Sequence, residues 1–309
     1  MFFAGFPSLL MLYIPVKKRY NNKKEFSQTK GCDCLKKWMY NACVFIFATV
    51  FIVSGVMVGL YYWDAHTQQS RYEDLSQMRP VTNPRPTPSA SLPDNETKPI
   101  APETKMVEVT DPKTGETRKI LAEFAQLYQM NSDIIGWMSI PAIEVDYPVM
   151  YTPEDPEYYL RRNFDKEKNT RGCLFVQSGC DVFAPSDNIT IYGHRMRDGT
   201  MFGQLNKFRK ASFRNENPYI YFDTLTELHT YEILSVFLTT ASVGEGFSYH
   251  AFIDAADEAE FDKFVAQCKK LALYDTGVDA QYGDKLICLS TCEYSQTNGR
   301  LVVVAKRVA

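Results

Sequence analysis

The chain has 309 residues, of which 45 % are apolar and 23 % are charged, and its formal net charge at pH 7 is −3. This charge argues against a nucleic-acid-binding protein, because such domains usually carry a concentrated basic face. Eight cysteines in a chain of this length also argue against a small secreted scaffold held together by disulfides. The length leaves room for one large or two ordinary domains.

The first predicted element is a transmembrane helix over residues 41–63. No charged residue occurs in residues 38–63, and about 20 apolar residues at about 1.5 Å each cross the roughly 30 Å hydrocarbon core of a bilayer. A cleaved signal peptide is the alternative, although its apolar region is usually only about 7–15 residues long and ends in small residues. Here the apolar stretch ends in Leu60 and three aromatic residues, which favours an uncleaved anchor.

Basic residues precede this helix in a segment over residues 1–40 that we predict to be cytoplasmic. Eight lysines and arginines lie between positions 17 and 37, against only two acidic residues. Because Lys and Arg are enriched on the cytoplasmic side of membrane helices, we expect a single-pass protein of the cell membrane. Its amino terminus is cytoplasmic and its larger carboxyl-terminal part is extracellular. The apolar residues 1–16 are either an interfacial segment or an over-extended start of translation.

Residues 64–114 are predicted to form an extracellular stalk. Seven prolines between positions 80 and 102 stand among Ser, Thr, Asn and charged residues, with few apolar side chains to bury. Such a composition favours a partly extended linker over a packed domain. The stalk is expected to hold the following domain away from the bilayer.

Residues 115–309 are predicted to form one mainly β domain. An amphipathic helix is expected over residues 118–130, where apolar residues recur at helical spacing. Eight short runs rich in β-branched and aromatic residues then suggest an eight-stranded β-barrel. These runs cover residues 135–140, 145–150, 173–177, 189–192, 219–222, 230–239, 286–290 and 301–305. A second amphipathic pattern, over residues 258–273, predicts a helix inserted before the seventh run.

Cys292 and Arg300 are candidate functional residues at neighbouring strand ends. Cys292 follows one predicted strand and Arg300 begins the next, after a seven-residue loop. Adjacent strands joined in this way bring both side chains to the same end of the sheet. A fixed cation near a thiol favours the reactive thiolate and offers hydrogen bonds to a developing oxyanion. By itself this pattern is weak, since a cysteine at a strand end is more often a small buried apolar residue.

His194 is the candidate acid/base partner of Cys292. It follows the apolar run 189–192 and a glycine, a place where a side chain can be presented at a barrel rim. By contrast, His66 lies in the predicted stalk, and His229 and His250 lie in contexts with no partner pattern. A lone histidine is usually structural or solvated, but cysteine, histidine and arginine at three strand ends are more informative than any one of them.

These three residues lie in motifs that resemble the signature regions of class B sortases, a family of cysteine transpeptidases. The motifs are IYGHRMRDGTMFG over residues 191–203, and LSTC over residues 289–292 followed by RLVVVAK over residues 300–306. The resemblance extends over about residues 120–308 and includes IGWMSIP at 135–141, YPV at 147–149, EYYL at 157–160, YFD at 221–223 and LYDTGV at 273–278. Arg195 is a departure, because many relatives carry Asn after the histidine.

The resemblance implies a sortase-type eight-stranded barrel with an N-terminal helix and a helical insertion before the cysteine strand. It also implies that Cys292 attacks the carbonyl after a Thr in a sorting signal similar to Asn-Pro-x-Thr. His194 then protonates the departing amine and Arg300 stabilises the oxyanion. The expected partners are exported proteins that bear such a signal, and a peptidoglycan precursor or another primary amine that resolves the thioacyl-enzyme. No cofactor is expected, and no metal-ligand pattern is visible in the exported sequence.

Five further residues are candidates for substrate binding. Ser290 and Glu293 flank the nucleophile in the matching motif, and Asn163, Leu160 and Tyr249 are candidates for the substrate groove. For Ser290, a hydroxyl that caps the strand end is an equally good interpretation.

Three other functions are alternatives for this sequence. A secreted cysteine endopeptidase could use the same Cys292 and His194, but papain-like peptidases usually place the cysteine before the histidine and orient it with Asn or Asp. A pilin-polymerising transpeptidase would differ only in its amine acceptor. A non-catalytic barrel that binds the cell wall would lack the thiol, the histidine or the arginine. Ordinary packing is expected for the other exported cysteines, and a disulfide between Cys173 and Cys180 is left open.

Overall fold

A computed structural model describes residues 29–79, 105–242 and 244–309. It consists of two compact units, Met1–His66 and Thr67–Ala309. Most of the predicted cytoplasmic segment and the proline-rich part of the predicted stalk, residues 80–104, lie outside the described residues.

The first unit contains the apolar part of helix α1, which spans Thr29–Gln77. Among the described residues, this helix alone is long and apolar enough to cross a membrane, a criterion of length and composition only. Its large apolar side chains are solvent-exposed throughout residues 38–63. The predicted span at 41–63 therefore coincides with a helical segment whose large apolar side chains are left exposed by the described residues of its unit.

The described residues of the second unit form ten strands, and eight of them close into a barrel. The strands are β1 Met106–Thr110, β2 Thr117–Leu121, β3 Ile134–Ile140, β4 Val145–Met150, β5 Leu174–Val176, β6 Asn188–Tyr192, β7 Tyr219–Thr224, β8 Thr230–Thr240, β9 Leu286–Cys292 and β10 Gly299–Arg307. The barrel order is β10-β8-β7-β3-β4-β5-β6-β9, and β1 and β2 form a separate antiparallel hairpin. The pairs β4–β5 and β6–β9 are parallel and the other barrel pairs are antiparallel.

The eight predicted runs are the eight barrel strands, with ends that differ by at most two residues. This agreement confirms the predicted mainly β class. The runs are rich in β-branched and aromatic residues, which fit a pleated surface buried on its inner face.

Three α-helices accompany the barrel: α2 Ala125–Met130, α3 Ala211–Glu216 and α4 Glu258–Leu271. Helix α4 is the predicted insertion between β8 and β9, and the side chain of Asp257 caps it by accepting a hydrogen bond from the main-chain N–H of Glu260. Its apolar face packs on the outside of the barrel and forms a second apolar cluster. The buried members of that cluster include Phe261, Phe264, Val265 and Cys268 of α4, with Leu234, Phe237, Cys288, Val302 and Val304 of the sheet.

The helix predicted over residues 118–130 is shorter than expected. Residues up to Leu121 form strand β2, which pairs with β1, and a short 3₁₀ turn leads into α2 at Ala125. The apolar spacing from Ile120 to Tyr128 fits a helix, but pairing with β1 takes its first part into a hairpin. Because β1 precedes residue 115, the ordered domain also begins earlier than predicted.

The predicted stalk at 64–114 is revised at both ends. Residues 64–77 belong to helix α1, and Met106–Thr110 form β1. Within the second unit, Tyr72, Leu75 and Arg79 are buried. We call residues 67–79 the docked segment, because it packs on the barrel domain.

Arg79 fixes the end of the docked segment through buried ion pairs. Its guanidinium contacts the carboxylate of Asp223 and that of Glu123, the latter at 2.9 Å, and all three side chains are almost fully buried. The guanidinium also lies 4.9 Å from the ring centroid of Phe124 and 5.6 Å from that of Trp137. Such a charge is tolerated in the interior only because it is paired.

Candidate active site

A cleft of about 510 Å³ opens at the end of the barrel where β6 and β9 terminate. Six of the eight residues singled out from the sequence line it. They are Leu160, His194, Tyr249, Ser290, Cys292 and Arg300. A cleft of this size is in the range typical of ligand sites.

Cys292 and Arg300 are directly opposite each other across an antiparallel strand pair. Cys292 is the last residue of β9, and its Cα partner on β10 is Arg300. Cα atoms of such opposite residues are about 4.5–5.5 Å apart, so side chains on one face of the pair are neighbours. One guanidinium nitrogen of Arg300 donates to the carbonyl oxygens of Asn298 and Gly299, at 3.2 and 3.0 Å. The strand pairing therefore places a fixed cation beside the thiol.

His194 reaches the cleft from β6, which runs parallel to β9. Two hydrogen bonds continue this pairing beyond the strand end. The main-chain N–H of Gly193 donates to the carbonyl oxygen of Ser290 at 3.2 Å, and the hydroxyl of Thr291 donates to the carbonyl oxygen of Gly193 at 2.8 Å. The residue before Cys292 is thus tied to the residue before His194.

Close packing requires glycine at position 193. A Cβ atom there would lie 2.5 Å from side-chain atoms of both Leu174 and Phe202. The backbone that carries His194 consequently sits directly on the barrel core, at a distance that no other residue permits without displacement of its neighbours.

The ring of His194 has a main-chain partner. Its Nε2 atom lies 2.8 Å from the carbonyl oxygen of Leu160, in the 3₁₀ turn Tyr158–Arg161. A carbonyl oxygen can only accept, so Nε2 carries the hydrogen and donates it.

Tyr249 and Ser290 form a buried hydroxyl pair in the cleft wall. Their oxygen atoms are 2.6 Å apart. Burial raises the pKa of Tyr249, although Ser290 and the charge of Arg300 partly oppose this shift. The phenol therefore stays protonated and remains a hydrogen-bond donor at neutral pH.

A family model described as the Sortase domain matches residues 138–308, more than half of the chain. The chain belongs to the sortase family. The matched residues include His194, Cys292 and Arg300.

The named relatives are class B sortases. The chain is 30 % identical over 196 residues to Sortase B of Listeria monocytogenes, a match that covers 63 % of this chain and 76 % of that protein. It is 28 % identical over 186 residues to Sortase B of Staphylococcus aureus, which covers 60 % and 74 %. This sortase is therefore of class B and is a cysteine transpeptidase.

Solved structures agree with this assignment. Sortase B from Bacillus anthracis in complex with AAEK1 superposes with a TM-score of 0.60 and 28 % identity, covering 80 % of this chain and 99 % of that chain. The Staphylococcus aureus sortase B–substrate complex gives a TM-score of 0.56 and 28 % identity, covering 61 % and 86 %. The predicted eight-stranded sortase barrel is thereby confirmed.

Glu293 and Asn163 do not line the cleft of this sortase. Glu293 is buried and accepts hydrogen bonds from the main chain and the hydroxyl of Ser295, and guanidinium nitrogens of Arg209 and Arg195 lie 3.4 and 3.8 Å away. Burial alone would raise the pKa of Glu293, but the Ser295 hydrogen bonds and the two arginines lower it. The carboxylate thus braces the loop that follows the thiol.

Asn163 has a local role in its own loop. Its Oδ1 atom accepts from the main-chain N–H of Glu167 at 2.9 Å, and its Nδ2 atom donates to the carboxylate of Glu167 at 3.3 Å. Both bonds stabilise a surface loop. In this geometry the side chain of Asn163 does not point into the cleft, and a role in binding stays a prediction.

Several residues of the cleft wall were not predicted from the sequence. These are Pro156, Glu157, Phe175, Gln177, Ser178, Tyr192, Ala241, His250 and Thr291. The hydroxyl of Tyr192 donates to Gln177 at 2.9 Å, and the amide of Gln177 donates to the carbonyl oxygen of His250 at 2.8 Å. Alternation along β5 and β6 was an available signal, since Phe175 and Gln177, like Tyr192 and His194, are two residues apart.

Thiol exposure distinguishes Cys292 from the other cysteines of the second unit. Cys173, Cys180, Cys268 and Cys288 are buried free thiols, and burial raises the pKa of each. Cys292 is partly exposed. The disulfide left open between Cys173 and Cys180 is not formed. Among the residues that the structure describes, no cluster of three or more His, Cys, Asp or Glu side chains could hold a metal ion.

Proposed function

We propose that this class B sortase cleaves an Asn-Pro-x-Thr-like sorting signal of exported proteins and transfers the acyl group to a primary amine of the cell wall. The observation that carries the proposal is the pairing of Cys292 with Arg300 beside the segment of His194. The solved substrate complex of Staphylococcus aureus sortase B supports the inference that this fold binds a substrate.

In the first half-reaction, the thiolate of Cys292 attacks the carbonyl carbon of the signal Thr. A carbon–sulfur bond forms while the carbonyl oxygen becomes an oxyanion, which Arg300 stabilises with N–H groups that make no hydrogen bond with the described residues. His194 gives a proton to the amine nitrogen as the carbon–nitrogen bond breaks. The products are a thioacyl-enzyme and the released carboxyl-terminal fragment.

In the second half-reaction, an acceptor amine attacks the thioacyl carbon. His194 removes a proton from the attacking nitrogen, and Cys292 leaves as the thiolate when the oxyanion collapses. The result is a new amide bond and a regenerated enzyme. Water in place of the amine would give hydrolysis.

The cleft wall suggests which residues contact the signal. Leu160 offers apolar surface, whereas Ser290 and Tyr249 present a hydroxyl pair that can bind a polar side chain or main-chain group. We propose these three as the substrate-contacting residues.

We also propose that the apolar helix at residues 41–63 anchors the enzyme in the cell membrane, with residues 1–40 cytoplasmic and the barrel outside. The lysine and arginine excess before the helix supports this orientation. A barrel held at the outer surface meets exported proteins and wall precursors as they emerge.

The test uses the full chain in detergent micelles with a fluorogenic Asn-Pro-x-Thr peptide. The assay is run with and without oligoglycine or a diaminopimelate-containing stem peptide, and products are identified by mass spectrometry. Cys292→Ala should abolish cleavage, whereas Cys288→Ala, which removes a buried thiol of the same strand, should retain it.

Each outcome has a defined meaning. An amide-linked product that depends on Cys292 supports the transpeptidase and identifies a competent acceptor. Hydrolysis alone with every amine, including a pilin-type lysine peptide, would favour the endopeptidase. Activity that survives in Cys292→Ala would refute the assigned nucleophile.

A further inference from the structure

The 3₁₀ turn Tyr158–Arg161 supplies the partner of His194. Nε2 of His194 donates to the carbonyl oxygen of Leu160 at 2.8 Å. A neutral imidazole carries one hydrogen, so Nδ1 is the nitrogen that remains open to accept a proton. The position of a main-chain carbonyl thus selects which nitrogen of the ring exchanges protons.

Tyr159, the residue before Leu160, anchors this turn in the protein interior. Its side chain is fully buried, and its hydroxyl donates to a carboxylate oxygen of Asp133 at 2.8 Å and accepts from Nδ2 of Asn131 at 2.8 Å. Burial raises the pKa of Tyr159, so the hydroxyl keeps its proton. The phenol therefore holds the turn at two points.

The groups that receive Tyr159 are themselves fixed. The carboxylate of Asp133 is paired with Lys113 and, at 3.1 Å, with Lys166. Asn131 donates a second hydrogen bond to the carbonyl oxygen of Phe164 at 2.7 Å and accepts one from the main-chain N–H of Asp133 at 3.1 Å. The network holds Tyr159 in place, because a displacement would leave buried polar groups without hydrogen-bond partners.

Gly172 supports the turn from the opposite side. A Cβ atom at this position would lie 2.5 Å from the carbonyl oxygens of both Tyr159 and Leu160, and the backbone adopts φ of +60°, which favours glycine. The next residue, Cys173, donates its N–H to the carbonyl oxygen of Tyr159 at 3.0 Å. The carbonyl of Leu160 is consequently held between the Tyr159 anchor and the chain that leads into β5.

We propose that the carbonyl oxygen of Leu160 orients His194, with Tyr159 as the positioning residue, so that Nδ1 exchanges protons with the departing and attacking amines. In the first half-reaction, Nδ1 takes the proton of the Cys292 thiol, which leaves the attacking thiolate, and then passes it to the departing nitrogen as the carbon–nitrogen bond breaks. In the second, Nδ1 takes a proton from the attacking nitrogen and Cys292 leaves as the thiolate, and return of that proton to the thiolate restores the starting state. Nε2 keeps its hydrogen throughout. A main-chain acceptor takes the part that an Asn or Asp side chain has in other cysteine and serine enzymes. This inference rests on the proposed acid/base role of His194.

The first test is the tautomer of His194. The full chain carrying Cys292→Ala is labelled with ¹⁵N-histidine and studied by NMR in detergent micelles at about pH 8, above the ordinary histidine pKa of about 6.5. Disappearance of one signal pair in the additional variant His194→Asn assigns the ring. A hydrogen on Nε2 and none on Nδ1 is expected, and the opposite tautomer would overturn the proposal without any activity measurement.

The second test compares two tyrosines of the same turn. Tyr159→Phe removes the anchoring hydroxyl, and we expect kcat to fall by up to about 100-fold, as for a catalytic group misplaced by about 1 Å. The KM for the signal peptide should be unchanged, and the His194 ring should show mixed tautomers. Tyr158→Phe is the control, since the hydroxyl of Tyr158 makes no hydrogen bond with the described residues.

The outcomes separate this proposal from the proposed function. If folded Tyr159→Phe protein keeps the wild-type kcat and a single Nε2–H tautomer, Tyr159 does not position the ring. If the variant does not fold, the tautomer of the Cys292→Ala protein decides. Full activity in His194→Ala would instead refute the acid/base role of His194, and with it the proton exchange at Nδ1.

Discussion

The hydroxyl of Thr291 donates a 2.8 Å hydrogen bond to the carbonyl oxygen of Gly193. The two residues are the immediate neighbours of Cys292 and His194, and Thr291 is buried. Because water does not compete freely at a buried site, this bond helps to fix the distance between the thiol and the imidazole.

Thr291→Val tests this link, because it removes the hydroxyl and nearly preserves the shape of the side chain. Loss of one buried hydrogen bond costs about 1–1.5 kcal/mol, so we expect kcat to fall about tenfold if that energy holds the reactive geometry. Steady-state kinetics with the signal peptide and an amine measure the effect. Thr291→Ser keeps the hydroxyl and should retain most of the activity, and equal kcat values for both variants would contradict the prediction.

Leu75 tests whether the docked segment is part of the folded domain. Its side chain is fully buried, and Leu75→Ala should lower the free energy of unfolding by about 2–5 kcal/mol. The neighbouring exposed residue gives a control, since Asp74→Ala should change the free energy of unfolding by no more than about 0.5 kcal/mol. Urea denaturation of a fragment over residues 67–309 measures both. Equal denaturation midpoints for the wild type and Leu75→Ala would show that the docked segment does not pack on the domain in solution.

Because Arg79 forms buried ion pairs, its substitution should strongly reduce stability, and a second substitution should restore part of the loss. Arg79→Met leaves the carboxylates of Asp223 and Glu123 without their shared cation, and breaking a buried pair typically costs about 3–5 kcal/mol. Adding Asp223→Asn removes one of the two buried charges, so the double variant should recover part of the loss. Urea denaturation of the same fragment measures the free energy of unfolding of both single variants and of the double variant. If the effects of the two substitutions simply add, the residues do not interact directly.

Glu293 predicts a dependence of stability on pH. Its pKa is lowered in the folded state, so its contribution is fully present above the ordinary value of 4.5 and is lost as the pH falls through the folded value. At pH 7, Glu293→Gln should be less stable by about 1.5–3 kcal/mol, the range for hydrogen bonds to a charged group. Urea denaturation should show this difference shrinking in acid. Glu154→Gln, which removes a carboxylate at an exposed position, is the control.

The barrel strands were predictable because their local pattern and their final environment agree. Runs such as residues 145–150 and 230–239 are rich in residues that favour strands and are bounded by turn residues. Helix α4 was predictable for a similar reason, since its apolar stripe faces the sheet and its polar face meets water.

Two elements were obscured by long-range packing. Residues 118–121 continue a helical apolar spacing, and their pairing with β1 depends on a strand that looked like the end of a linker. In the docked segment, Tyr72, Leu75 and Arg79 do recur at helical spacing, but the charged residues between them dilute the pattern. Tertiary contacts decide the conformation in both cases.

The reactive side chains of the site were easier to predict from the sequence than the contacts that position them. Thiol, imidazole and guanidinium groups belong to few residue types, so Cys292, His194 and Arg300 could be selected from motifs. The carbonyl oxygen of Leu160 is a main-chain atom that every residue possesses, and no sequence pattern marks it. The hydrogen bond between Thr291 and Gly193 likewise depends on the pairing of β6 with β9, which could not be predicted from the sequence.

Strands β6 and β9 are parallel neighbours, yet Gly193 and Thr291 are 98 residues apart along the chain. Strands β7 and β8 and helix α4 are synthesised between the histidine and the cysteine, and β10 follows. Because a chain is synthesised from its amino terminus, the histidine is made before the thiol. An unfinished molecule holds a histidine without a nucleophile, so the cysteine chemistry has to wait until β9 and β10 have been made and the barrel has closed.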